Sequence, residues 1–251
     1  MPIRKLWPEV QVLYDLLCGR DTALPFDYCR HCDDDKAMNA IQETPPLLLS
    51  DDELFSLKFT LMATVGDEST FKYFLPVLLQ WAIDDDEDVA SLLAKAKKAG
   101  LVDWPRNERE ALTDVVLAWA AFKYAQDVNE SFQSPLAHVL PAATSTFCLE
   151  GALVVLDGRP RRQRALLGAC FLSEFSDLIF APGRMSRSHL WSDTPDEFDL
   201  VVAHLKKEAS LYLEFADDEA LVAHHNVLME VLDVWDRERC AEADEPSGAT
   251  R

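Results

Sequence analysis

Glycine is scarce in this chain, at 8 of 251 residues, too few for the turns of a many-hairpin all-β protein or for a glycine-rich one. Uninterrupted apolar runs are missing as well. The longest, such as Val115–Phe122, are closed by charge on both sides, well short of the ~18 residues that a membrane span needs. The N-terminal stretch Met-Pro-Ile-Arg-Lys-Leu-Trp-Pro-Glu-Val has neither the apolar core nor the small-residue cleavage site of an export signal. Basic residues are in deficit: 24 Lys and Arg face 44 Asp and Glu, a formal net charge of −20. Such a field repels nucleic acid and anionic membranes and attracts a basic partner. Catalytic signatures are lacking too. There is no Gly-x-Ser-x-Gly elbow, no phosphate-binding Walker loop, no Gly-x-Gly-x-x-Gly and no His-Glu-x-x-His.

What is present is apolar and helical in period. Hydrophobic residues make up 49% and aromatics 10%, enough for a core without covalent staples. Of the six cysteines, Cys18, Cys148, Cys170 and Cys240 are dispersed in apolar helical segments, where cysteine acts as a small hydrophobe. With no export signal, the expectation is reduced thiols and a cytoplasmic location.

The punctuation is explicit. Pro8 suits the first turn of a helix carrying Val10, Leu13 and Leu17, with Gly19 as its stop. A short helix is expected at Asp34–Gln42, ended by Pro45-Pro46. Ser50-Asp51-Asp52-Glu53 is a capping box opening a helix read as carried by Leu54, Leu57, Phe59, Leu61 and Met62. Asp67 caps the next helix, in which Pro76 predicts a kink or a limit. Asp84–Asp88 is read as the acidic start of a helix over 86–98, with Lys95, Lys97 and Lys98 at its basic end. Trp104-Pro105 opens a longer one. Further helices are expected near 136–140, 144–156, 161–179, 195–214 and 217–240, the fourth opened by a second capping box at Thr194–Glu197. The polar residues 241–251 read as a frayed tail. The fold expected is all-α: an irregular multi-helix bundle or a HEAT-like stack of antiparallel pairs. It occupies one domain over 1–240, divisible into 1–126 and 135–240.

Four features bear on chemistry. Cys29-x-x-Cys32 has the spacing of a zinc-ligand pair or a redox dithiol. A closed zinc site needs four ligands and only Cys18 and His31 are near, while the Asp33–Asp35 run predicts raised thiol pKa values. His204, His224 and His225 lack metal-binding spacing. The carboxylates Asp84, Asp85, Asp86, Glu87 and Asp88, with Asp51, Asp52 and Glu53, form a docking edge for a basic protein if the fold gathers them. Arg159–Arg187 runs against the sign of the chain, and Arg161, Arg162 and Arg164 stand near a helix start, where the dipole disfavours them. The compensating anion is either the chain's own carboxylates, such as Glu150 or Asp157, or a bound phosphate or nucleotide.

Cys29-Arg30-His31-Cys32, Thr64-x-Gly66-Asp67 and Phe71-Lys72-Tyr73-Phe74-Leu75-Pro76 together resemble a group of uncharacterised bacterial helical proteins. Those carry a similar Cys-x-x-Cys, a T-x-G-D turn and an F-x-x-F-L-P helix. The resemblance spans about residues 29–125 and supplies no catalytic residue. The position after the proline, often arginine in that group, is Val77 here, so no role for that arginine transfers. In type rather than in sequence, the chain is similar to immunity proteins of bacterial toxin systems: small, acidic, cytoplasmic and without a catalytic motif. The function expected is a non-enzymatic, cofactor-free protein that neutralises a basic toxin by occluding its active site. An enzyme or sensor holding an anionic ligand at the arginines, and a scaffold in a larger assembly, are the alternatives.

Overall fold

The structure, a computed structural model, describes residues 3–18, 24–85, 89–125 and 145–168, positions 139, 140, 142 and 143, and scattered positions between 200 and 233. The fold is all-α, and the described residues contain no strand, only isolated bridges pairing Tyr28 and Leu61 with Val65. In chain order the helices whose course is described throughout are α1 (Pro8–Leu17), α2 (Asp35–Glu43), α3 (Asp51–Thr60), α4 (Glu68–Asp84), α5 (Val89–Lys98), α6 (Arg106–Ala125), α7 (Leu149–Asp157) and α8 over 161–168; positions 139, 140, 142, 143 and 145 and most of those described between 200 and 233 are helical as well. Short 3-10 turns lie at Pro46–Leu48 and Leu101–Asp103. The capping box at Thr194–Glu197, Cys170, Cys240, His224 and His225 lie outside the described residues.

The contacts divide the chain into two compact units. The first comprises Met1–Phe122 and His138–Ala152, the second Lys123–Ala137 and Leu153–Arg251. The segment His138–Ala152 thus belongs with the first unit, although a sequence boundary near 135 assigns it to the second.

In the first unit, local chemistry sets the helix starts. Pro8 stands at the first position of α1. Ser50 opens α3 with both halves of its capping box formed: the Glu53 N–H donates to Ser50 Oγ (3.3 Å) and the Ser50 N–H to Glu53 Oε2 (2.7 Å). Asp67 caps α4, its Oδ1 accepting from the Thr70 N–H (3.1 Å) and the Ser69 hydroxyl (2.7 Å). These bonds favour the ionised form, the Ser69 hydroxyl most, and hold the Asp67 carboxyl below the usual carboxylate range. Gly66 precedes it at φ +60°, and its N–H donates to Asp27 O (2.7 Å).

α4 is the centre of this unit. It packs against α1, α3, α5 and the Pro46–Leu48 turn, and every residue from Phe74 to Ile83 is buried. Its helical neighbours are those before and after it in the chain, α3 and α5, together with the more distant α1. The helix continues through Pro76 for two further turns, because burial on all sides outweighs the lost backbone bond. A polar clamp ties α4 to α6: Lys72 Nζ lies 3.1 Å from Glu68, 3.5 Å from the fully buried Glu108 and 4.2 Å from the centre of the Trp104 ring. At the end of α3, Lys95 of α5 donates its ammonium to the carbonyls of Lys58, Phe59 and Leu61, closing orphan groups of that terminus. In the second unit, Val154 and Val155 are helical, within α7. Among the described residues no helix is long and apolar enough to cross a membrane.

Candidate functional site

The acidic runs do meet, through Arg4. Its guanidinium pairs with Asp51 at the start of α3 and reaches Asp84 at the end of α4 (3.9 Å), while its N–H is fixed by Leu47 O (3.1 Å). Behind them, the buried Gln80 takes the Trp7 N–H on Oε1 (2.6 Å) and gives its amide to Asp84 Oδ1 (2.8 Å). Asp51, Asp52, Asp84 and Asp85 are exposed on this edge.

Two expectations change. Asp84 and Asp85 do not open the following helix: Asp84 is the last residue of α4 and Asp85 its C-cap, while α5 begins at Val89. A carboxylate at a C-terminus is disfavoured by about 0.3–1 kcal/mol, and Arg4 and Gln80 supply the compensation for Asp84. Asp86, Glu87 and Asp88 lie outside the described residues. Glu53 is occupied by Ser50, whose hydroxyl and N–H both reach its Oε2 at 2.7 Å.

Beside this edge stands a feature that the sequence reading missed. Leu54, Leu57 and Leu61, at spacings of three and four, complete the buried stripe of the α3 segment. Phe55 and Phe59 fall outside that stripe and are 50% and 59% exposed. Phe59 was expected to face the core, and Met62 to extend the helix; the helix ends at Thr60, and Met62 takes a left-handed turn at φ +62°. The two phenylalanines, four residues apart, meet edge to face with ring centres at 4.9 Å, and Phe55 leans on Trp81 at 6.3 Å. Lys58 Nζ lies 5.7 Å from the Phe59 ring centre and 5.8 Å from that of Trp81. Asp51, Phe55 and Phe59 recur every four residues, so one helix face carries a carboxylate followed by two exposed rings. The signal was legible: α3 has more apolar residues than one stripe accommodates.

The arginines of the second unit stand among carboxylates of their own chain. Arg164 Nη1 reaches Asp157 Oδ1 at 3.3 Å, and Arg161 pairs with Glu214. Lys207 Nζ (3.1 Å) and His204 Nε2 (3.9 Å) also face Asp157. Burial alone would raise the Asp157 carboxyl, but the Lys207 hydrogen bond and the nearby positive groups outweigh it and hold it low. Arg162 is exposed. This is the intramolecular compensation considered above for the cluster, with Asp157 and Glu214 as the carboxylates.

Cys29 and Cys32 are exposed, on a turn before α2. Hydrogen bonding from Cys32, and from the N–H groups of His31 and Cys32, lowers the Cys29 pKa, while the same pairing raises that of Cys32. The aspartate run was expected to raise both. Asp33 does act to raise both thiols, but hydrogen bonding outweighs it at Cys29; Asp34 caps α2 through the Ala37 N–H (2.9 Å) and Asp35 takes the Tyr28 hydroxyl (2.9 Å). Cys18 donates to Tyr73 O (3.0 Å), and burial pushes its thiol up to about 12. No group of three metal-ligating side chains occurs among the described residues.

A shallow groove of about 330 Å³ on the first unit is lined by Arg106, Arg109, Glu110, Asp114, Thr146 and Phe147, among others. Its charges balance, and Arg106 is already held by Glu110 at 2.7 Å.

No family model matches the chain, and neither a curated protein nor a solved structure matches it.

Proposed function

We propose that the α3 face of the first unit docks a basic protein, and that the chain acts as an immunity protein occluding the active site of a toxin. The observation carrying this reading is the pair Phe55 and Phe59, exposed on a helix whose buried stripe is complete without them and bordered by Asp51 and Asp52. Exposed aromatics beside unlike-charged surroundings are what binding hot spots are made of: the rings supply durable affinity, the carboxylates supply steering. Arg4 joins Asp84 to Asp51 and offsets one of their charges, and with the exposed Asp52 and Asp85 the edge stays net negative where a toxin's substrate-binding lysines and arginines would arrive. The anion-site alternative loses its motive, since Asp157 and Glu214 already face Arg164 and Arg161.

The test is affinity capture of the tagged chain from its own cells at low salt and at about 0.5 M salt. The reading expects one basic protein, recovered stoichiometrically, weakened by salt, lost with the Phe55→Ser/Phe59→Ser variant and kept with Arg161→Glu/Arg162→Glu. Recovery that survives the phenylalanine change and fails with the arginine change would transfer the function to the second unit.

A further inference from the structure

The docking face leaves the Cys29–Cys32 turn unused. Its backbone is held from both sides: the Cys29 N–H donates to Thr64 O (2.8 Å), and Asp34 caps the helix that follows. Within the turn, the N–H groups of Cys32 (2.9 Å) and Asp33 (3.0 Å) both donate to Cys29 O. A four-residue turn closed by this bond keeps its first and fourth Cα atoms within ~7 Å, the span that a disulfide bridges. Both thiols are open to solvent, and hydrogen bonding between them lowers the Cys29 pKa and raises that of Cys32. The Cys32 N–H is spent on Cys29 O, and the lowered Cys29 pKa makes it the sulfur that ionises first.

We infer that Cys29 and Cys32 form a reversible dithiol–disulfide couple that exchanges with small-molecule disulfides of the glutathione type, with Cys29 as the attacking sulfur and Cys32 as the resolving one. The Cys29 thiolate attacks one sulfur of the small disulfide, forming a mixed disulfide and releasing one thiolate, which takes up a proton from solvent. Cys32 then loses its proton and attacks Cys29 Sγ, forming the internal bond and releasing the second small thiol. Two protein thiols are oxidised and one small disulfide is reduced to two thiols. The reverse sequence restores the turn. Because the turn already holds the two Cα atoms within the span of a disulfide, closure needs only side-chain rotation.

The experiment equilibrates the full chain in glutathione buffers of graded ratio, tags free thiols with a maleimide and locates each tag by peptide mass spectrometry. Cys29 and Cys32 are expected to lose their tags together, with the slope of a two-electron couple and no glutathione retained. Cys148, buried, and Cys18, half-buried with its thiol on Tyr73 O, serve as internal controls. Cys32→Ser is expected to retain glutathione on Cys29, and Cys29→Ser to acquire it on Cys32 about tenfold more slowly. Both positions are exposed, and circular dichroism checks that the variants fold. Glutathione retained separately on both cysteines of the unaltered chain, or equal rates in the two variants, would overturn the couple. So would joint protection of the thiols that a chelator removes, which would assign the turn to a metal.

Discussion

A methyl group added at Gly66 would meet the Thr70 Cβ at 2.4 Å, on a backbone held at φ +60°. Gly66→Ala is therefore expected to cost about 1–3 kcal/mol, read from the denaturant midpoint. Asp67, next in the chain, has a different signature. Its folded pKa lies below the unfolded value of about 4, so its stabilisation is complete above that value and is lost as pH falls through the folded one. Asp67→Ala should cost about 1 kcal/mol at neutral pH. The gap between variant and parent should narrow on acidification below about pH 4, measured by unfolding at graded pH. A gap constant from pH 7 to pH 2 would remove the ionised cap from the explanation. Together these residues give the Thr64-x-Gly66-Asp67 motif a mechanical reading: Thr64 O receives the Cys29 N–H, Gly66 makes the left-handed turn, and Asp67 starts α4.

At the scale of elements, α3 separates stability from binding. Leu57 is fully buried, and Leu57→Ala should cost about 2–5 kcal/mol. Phe55→Ser/Phe59→Ser removes mainly the edge contacts with each other and with Trp81, and should cost less than about 1.5 kcal/mol in calorimetry. On the proposed reading the same pair lowers partner affinity by about 30-fold or more, the size of a hot-spot loss. What could be read in advance was whatever the chain decides within a few residues. Pro8, Ser50 and Asp67 start their helices where their own side chains dictate. Asp84 was misassigned because a run of carboxylates between two helices carries no local mark of which helix it ends or begins. Its place follows from Gln80 and Arg4, and Arg4 stands eighty positions away. Phe59 is apolar yet exposed because Leu54, Leu57 and Leu61 already fill the inward face, so apolar character alone does not imply burial there.

For the whole molecule, the net charge of −20 sets the rate at which a basic partner arrives more than how long it stays. Association with the captured partner should therefore slow about tenfold or more between 0.05 and 0.5 M salt, while dissociation changes little, as stopped-flow kinetics would show. Asp52→Lys/Asp85→Lys should flatten that dependence, since both are exposed on the acidic edge. The all-α class followed from the helical period of the apolar residues, which holds whatever the tertiary arrangement. The joining of Asp51 to Asp84 did not, because it depends on one long-range arginine.

Hydroxyl-radical footprinting of the captured complex against the free chain tests most directly whether a partner covers Phe55 and Phe59. Phe122 and Phe147, 44% and 55% exposed in the same unit, are the internal references. Oxidation of Phe55 and Phe59 should fall several-fold in the complex while the references keep their free-state rates. Unchanged labelling of both α3 phenylalanines in a stoichiometric complex would contradict the docking face.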